Sequence, residues 1–113
     1  MHEYSLVQAM MRRVEEEARA RNASGVHRVQ VRIGQFSGVE ADLFASAYEV
    51  LRSGTLCANA ELVIAREAGE WNCGACGASV PAGAELTCPQ CGWPARLVRG
   101  DDLVLERIEL EVA

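Results

Sequence analysis

The stretch "CGACGASVPAGAELTCPQC", from Cys73 to Cys91, constrains the fold more than any other part of the chain. It has the spacing C-x2-C-x11-C-x2-C. Two residues between cysteines let both sulfurs of a knuckle reach one ion. Two such knuckles supply four thiolates for a tetrahedron with metal–sulfur distances of ~2.3 Å. Gly77 and Gly92 follow the second cysteine of each knuckle and permit the tight turn that brings amide N–H groups toward the sulfurs. The surrounding segment holds few large apolar side chains, too few for a core of its own, so a structural metal is physically required. A redox dithiol fits less well, because two equivalent pairs would be redundant and no thioredoxin-like helix follows either pair. The expected site is a closed zinc site of Cys73, Cys76, Cys88 and Cys91 with no open, catalytic position. Trp71 and Trp93 are expected to cover it, and Cys57, standing alone, reads as a small buried residue.

The rest of the chain reads as alternating helix and strand. From Leu6 to about Ala20, Val7, Met10, Met11, Val14 and Ala18 recur at helical spacing, and Ser5 with Gln8 has capping-box spacing. "RNASG" then supplies turn formers. In "VHRVQVRIG", Val29, Val31 and Ile33 alternate with Arg28, Gln30 and Arg32, the pattern of a half-buried strand. His27 falls in phase with Val29 and is expected on the inner face. A second helix is predicted over about Val39 to Arg52, with an apolar stripe of Val39, Leu43, Ala47, Val50 and Leu51 flanked by Phe44 and Tyr48. Ser37 and Glu40 repeat the capping-box spacing. "AELVIARE" and the closing "LVLERIELEV" read as strands.

A strand, a helix and a strand in so short a stretch imply a crossover between parallel strands. The expected fold is α+β: an αβαββ domain (residues 1–68 and 101–113) with two helices on one face of a three-stranded mixed sheet. The zinc-ribbon-like domain (residues 69–100) is inserted before the last strand.

A formal net charge of −5 with pI near 5.0 argues against a nucleic-acid binder acting by phosphate neutralisation. No run of about 18 apolar residues is present, so no membrane span is expected. No secretory signal is evident either, which points to a reducing, cytoplasmic setting where paired cysteines hold metal.

The amino terminus, "MHEYSL", offers a second ligand set. A free amine, the amide nitrogen of His2 and the imidazole of His2 can close adjacent chelate rings on one ion. Such nitrogen-rich, in-plane donation suits Ni(II) or Cu(II) better than tetrahedral zinc. Glu3 adds a carboxylate within reach. On spacing alone, His2 fits a solvated residue on a frayed chain end better than a ligand.

"MHEYSL", "IGQFSGVE" at Ile33 to Glu40, "GTLCANAELVI", the two CxxC pairs and "GDDLVLERIEL" occur in one order. In these the whole chain resembles the HypA/HybF family of nickel metallochaperones for nickel–iron hydrogenase maturation. The resemblance implies a nickel-binding αβ domain with structural Zn(2+) in the insertion and Ni(2+) as transferred cargo. Met1, His2 and Glu3 would form the nickel site, with Glu40 as a further candidate. The implied partners are a nickel-binding GTPase and the hydrogenase large-subunit precursor, and the chain would be a monomer or weak homodimer. Some members also serve urease. This chain departs from those members in having no histidine beside the cysteines, since His2 and His27 are its only two. An exchange of zinc ligands from Cys to His is therefore not expected.

No nucleophile–base constellation or phosphate-binding loop is present, so no enzyme activity is expected. The competing reading is a zinc-ribbon interaction or nucleic-acid-associated module in which His2 has no role.

Overall fold

The apolar period of the strand after the first helix organises the molecule. The computed structural model describes residues 2–81 and 85–112. In chain order its elements are α1 (His2–Ala20), β1 (Ala23–Gly34), α2 (Ala41–Leu51), β2 (Glu61–Glu67), β3 (Glu70–Cys73), β4 (Ser79–Val80), β5 (Ala95–Arg99) and β6 (Leu103–Val112). One sheet has the order β2-β1-β6, with β1 parallel to β2 and antiparallel to β6. A second has the order β4-β3-β5, all antiparallel. The three-stranded mixed sheet with two helices is the α+β architecture expected from the sequence.

Val29, Val31 and Ile33 are buried, and they share one core with Val7, Met10, Met11 and Val14 of α1 and Phe44, Ala47 and Tyr48 of α2. Both helices therefore cover one face of the first sheet. The opposite face carries charge. Arg28 reaches Glu61 on β2 at 2.8 Å and Glu109 on β6 at 3.1 Å, while Arg32 lies 3.5 Å from Glu67 and 3.3 Å from Glu106. Each arginine thus bridges the two strands that flank β1.

Four local expectations are corrected. α1 begins at His2, not after Ser5, whose Oγ donates to the His2 carbonyl at 3.0 Å instead of capping. α2 has Glu40 at its N-cap with no side-chain cap bond, so Ser37 and Glu40 form no capping box. The Ser37 hydroxyl instead donates to the Gly34 carbonyl at 2.7 Å and accepts from the Val39 amide at 3.2 Å, closing a turn. His27 is exposed, 4.0 Å from Glu111, because a β-bulge between Val26 and Arg28 resets the phase of β1. Finally, α2 buries Phe44, Ala47 and Tyr48 and leaves Leu43 and Val50 outside, so the buried stripe is rotated from the expected one.

The two sheets meet at a tight crossing. A Cβ on Gly34 would lie 2.4 Å from the Gly100 carbonyl, and one on Gly69 would meet the Phe36 ring at 2.4 Å. Gly100 has φ +94, a conformation that favours glycine. The segment after β1 ties both crossings together. Gln35 N–H donates to the Glu67 carbonyl at 2.8 Å, Phe36 N–H to the Gly100 carbonyl at 2.8 Å, and Gly69 N–H to the Gln35 side chain at 2.9 Å. Phe36 then meets Trp71 edge-on, with ring centroids 5.6 Å apart. The molecule is elongated, 57 × 27 × 17 Å.

Candidate functional site

Two regions hold the candidate metal ligands, one in the smaller sheet and one at the start of α1. In the smaller, the knuckle after β3 folds back through Gly77 (φ +76) and the second knuckle turns through Gly92 (φ +70), as the spacing predicted. The Sγ atoms of Cys73, Cys76, Cys88 and Cys91 all lie within 4.8 Å of one another. Cys73 and Cys91 are 3.3 Å apart, and Cys76 and Cys88 are 3.8 Å apart. A tetrahedron with ~2.3 Å metal–sulfur bonds has edges of ~3.8 Å, whereas a disulfide would need ~2.05 Å. The sulfurs are therefore spaced for one shared ion, and the donor set fits zinc.

Backbone N–H groups favour thiolates at Cys73 and Cys88, whereas at Cys76 and Cys91 the Ala78 and Trp93 amides are outweighed by the neighbouring sulfurs, which push both thiols up, Cys91 to about 12. The Cys76 amide N–H, reinforced by that of Ala75 and opposed by burial, holds the Cys73 thiol down to about 6; both N–H groups lie 3.3 Å from its sulfur. The Cys91 and Gln90 amides lower Cys88 in the same way. Trp71 packs beside Cys73, Val80 and Cys88, but Trp93 is 57% exposed, so only one tryptophan covers the cluster as expected. Cys57 is fully buried elsewhere, and burial pushes its thiol up.

The second region is the first turn of α1. Met1, the first of the candidate nickel ligands, lies outside the described residues. His2 opens the helix with its side chain 60% exposed, and its Nδ1 lies 3.6 Å from the Glu3 carboxylate. Glu3 is 7% exposed and accepts the Glu40 amide N–H at 3.2 Å. Its own amide N–H, then that of Glu40, hold this carboxyl below the usual range against the opposing effect of burial, with His2 adding to the lowering. Glu40 itself is exposed and meets Glu3 through its backbone. His2, Glu3 and Glu40 are thus neighbours at the start of both helices. Their side chains do not converge as the cysteines do among the described residues.

Sequence reasoning missed the contact between Glu3 and the Glu40 amide, and the clasp of Gln35, Phe36 and three glycines beside it. The available signal was "IGQFSGVE", whose glycines and lone aromatic fit neither the strand before it nor the helix after it.

Comparison with known proteins identifies the family of the chain. Residues 1–110 match the family model described as hydrogenase/urease nickel incorporation, metallochaperone, hypA. The hydrogenase maturation factor HypA of Wolinella succinogenes is 39% identical, the match covering 98% of this chain and 96% of that one. The corresponding protein of Nitrosospira multiformis is 41% identical, with 97% of each chain covered. A solution structure of the Ni metallochaperone HypA from Helicobacter pylori superposes with a TM-score of 0.75 at 30% identity, covering 98% of both chains. With its mixed sheet, its two helices and its four-cysteine cluster, the chain belongs to the HypA family of hydrogenase-maturation nickel metallochaperones.

Proposed function

We propose that this chain binds Ni(II) at its amino terminus and delivers it for insertion into the large subunit of nickel–iron hydrogenase. The amine of Met1, the amide nitrogen of His2 and the His2 imidazole supply the in-plane donors. Glu3 lies beside His2 and accepts the Glu40 amide N–H, and Glu40 is a further candidate with an exposed side chain. Nickel is cargo, and the chain carries out no bond-making chemistry of its own. Zinc in the four-cysteine site is structural: it holds two knuckles that have little apolar surface of their own. The setting is the cytoplasm, and the partners are a nickel-binding GTPase and the hydrogenase precursor.

One observation carries this reading: an exposed imidazole on the first residue of α1, next to a carboxylate anchored by a backbone bond from the start of α2. First-turn amides of a helix have no intrahelical acceptor, so nitrogen ligation there breaks no helical hydrogen bond. An open donor set on a chain end also suits a metal that must be released by ligand exchange. The test is a Ni(II) titration of the wild type and His2→Ala. The variant should lose the tight site while its four-cysteine site keeps its metal. Equal nickel affinity and stoichiometry in both proteins would contradict the assignment.

A further inference from the structure

We infer that the four-cysteine site is also a site of oxidation, at which a peroxide joins the sulfurs across the two knuckles and frees the zinc. The sulfurs that face each other belong to different knuckles, Cys73 with Cys91 at 3.3 Å and Cys76 with Cys88 at 3.8 Å. Each pair has less than ~2 Å to close before it reaches the ~2.05 Å of a disulfide.

The four sulfurs are also unlike one another. Cys73 and Cys88 are buried, with Trp71 and Val80 packed beside them. Each accepts two backbone amides, those of Ala75 and Cys76 at Cys73 and those of Cys91 and Gln90 at Cys88. Cys76 and Cys91 are exposed, and each accepts a single amide, from Ala78 and from Trp93. An N–H group that donates to a thiolate draws charge from the sulfur, and a buried sulfur is closed to a reagent arriving from water. Oxidation follows thiolate character and exposure. Each facing pair therefore sets one exposed, electron-rich sulfur against one shielded sulfur, the arrangement of a reacting thiolate beside a resolving one. Neither knuckle acts as a dithiol by itself, since each pair takes one sulfur from each knuckle.

The chemistry closes on these atoms. The Cys91 thiolate attacks one oxygen of hydrogen peroxide; an S–O bond forms, the O–O bond breaks and hydroxide leaves, so that Cys91 becomes a sulfenic acid. The Cys73 thiolate then attacks that sulfur; an S–S bond forms, the S–O bond breaks and a second hydroxide leaves. Two sulfurs have lost two electrons, and one peroxide, with two protons from water, has become two water molecules. Only two thiolates then remain as ligands, too few to retain the ion. Cys76 and Cys88 undergo the same two steps with a second peroxide. Two bonds between the knuckles now hold them where the metal held them before, and a thiol reductant reverses both.

The experiment uses the full chain, purified reduced with its zinc and then freed of reductant. Zinc content before treatment tests the zinc assignment on which this inference rests, and the pairing of the sulfurs tests the inference itself. Hydrogen peroxide is added in steps, zinc release is followed with a chromophoric chelator, and linked peptides are mapped by mass spectrometry. A dimedone trap present at the first step should label Cys91 or Cys76 and leave Cys73 and Cys88 unlabelled. Once about two equivalents of peroxide are consumed, the chain should have lost its zinc and gained one bond from Cys73 to Cys91 and another from Cys76 to Cys88. Cys57, fully buried in the other core, should stay reduced. Amide exchange should show β3 and β5 still protected, and dithiothreitol with Zn(II) should restore the starting state. Bonds within a knuckle, from Cys73 to Cys76 or from Cys88 to Cys91, would overturn the proposal. So would a first label on the buried sulfurs, a bond that includes Cys57, or zinc that stays bound through several equivalents of peroxide.

Discussion

At Glu3, a carboxylate with 7% of its surface exposed accepts the Glu40 amide at 3.2 Å and lies in the first turn of α1. A negative charge there is favoured by the unpaired N–H groups of the helix start. Glu3→Ala leaves the Glu40 amide without its acceptor and should cost about 1–3 kcal/mol in chemical denaturation, with Glu3→Gln costing less. Tyr48 offers a second test. Its buried phenol donates to the Ala60 carbonyl at 2.8 Å, and burial pushes it up to about 12 from an ordinary value of 10.0. An acid whose proton is held more tightly in the folded state adds stability that is complete below the unfolded value and is lost as pH rises through the folded one. The advantage of wild type over Tyr48→Phe should therefore be full at neutral pH and shrink between pH 10 and about 12. Paired denaturation curves would check it; an advantage that grows with pH would contradict it.

Among the elements, β1 shows what the sequence disclosed and where it fell short. Val29, Val31 and Ile33 alternate with arginines and glutamine, and the structure buries them as read. His27 was misplaced because period-two reading assumes an unbroken ladder, and the bulge between Val26 and Arg28 is set by pairing with β6, about 80 residues away in the chain. The start of α1 was misread for a related reason. Ser5 and Gln8 have the right spacing for a cap, but the acceptor that extends the helix to His2 comes from Glu3 and its tertiary contact with Glu40. On α2, apolar residues lie on both sides, so spacing alone could not choose between Leu43 with Val50 and Phe44 with Tyr48. The cysteine cluster was legible because knuckle chemistry is local. At this scale, Cys88→Ser should release the metal and loosen β3, β4 and β5. The first sheet and the nickel binding proposed for it should be largely retained, as followed by metal analysis and amide exchange. Loss of both metals together would show that the sites depend on one another.

Over the whole molecule, two sheets share little surface beyond the crossing of Gly34, Gly69 and Gly100. A radius of gyration of 18.0 Å exceeds the ~13 Å of a compact chain of this length. The crossing is held by backbone contacts that no side chain could enter. Gly34→Ala should therefore cost about 1–3 kcal/mol or more and let the sheets separate, seen as a rise in the scattering radius with both metal sites intact. This arrangement was not legible in the sequence, since glycines in "IGQFSGVE" and "RGDD" look like ordinary turn residues until the strands are paired. The account as a whole rests on the amino-terminal chelate. Its most direct test blocks the Met1 amine by acetylation, leaving the His2 side chain in place, and measures Ni(II) affinity by competition with a chelator. The account predicts a loss of about a hundredfold or more, near 2.7 kcal/mol, because an acetylated amine no longer donates to the metal beside the His2 nitrogens. An acetylated chain that binds nickel as tightly as the original would contradict it.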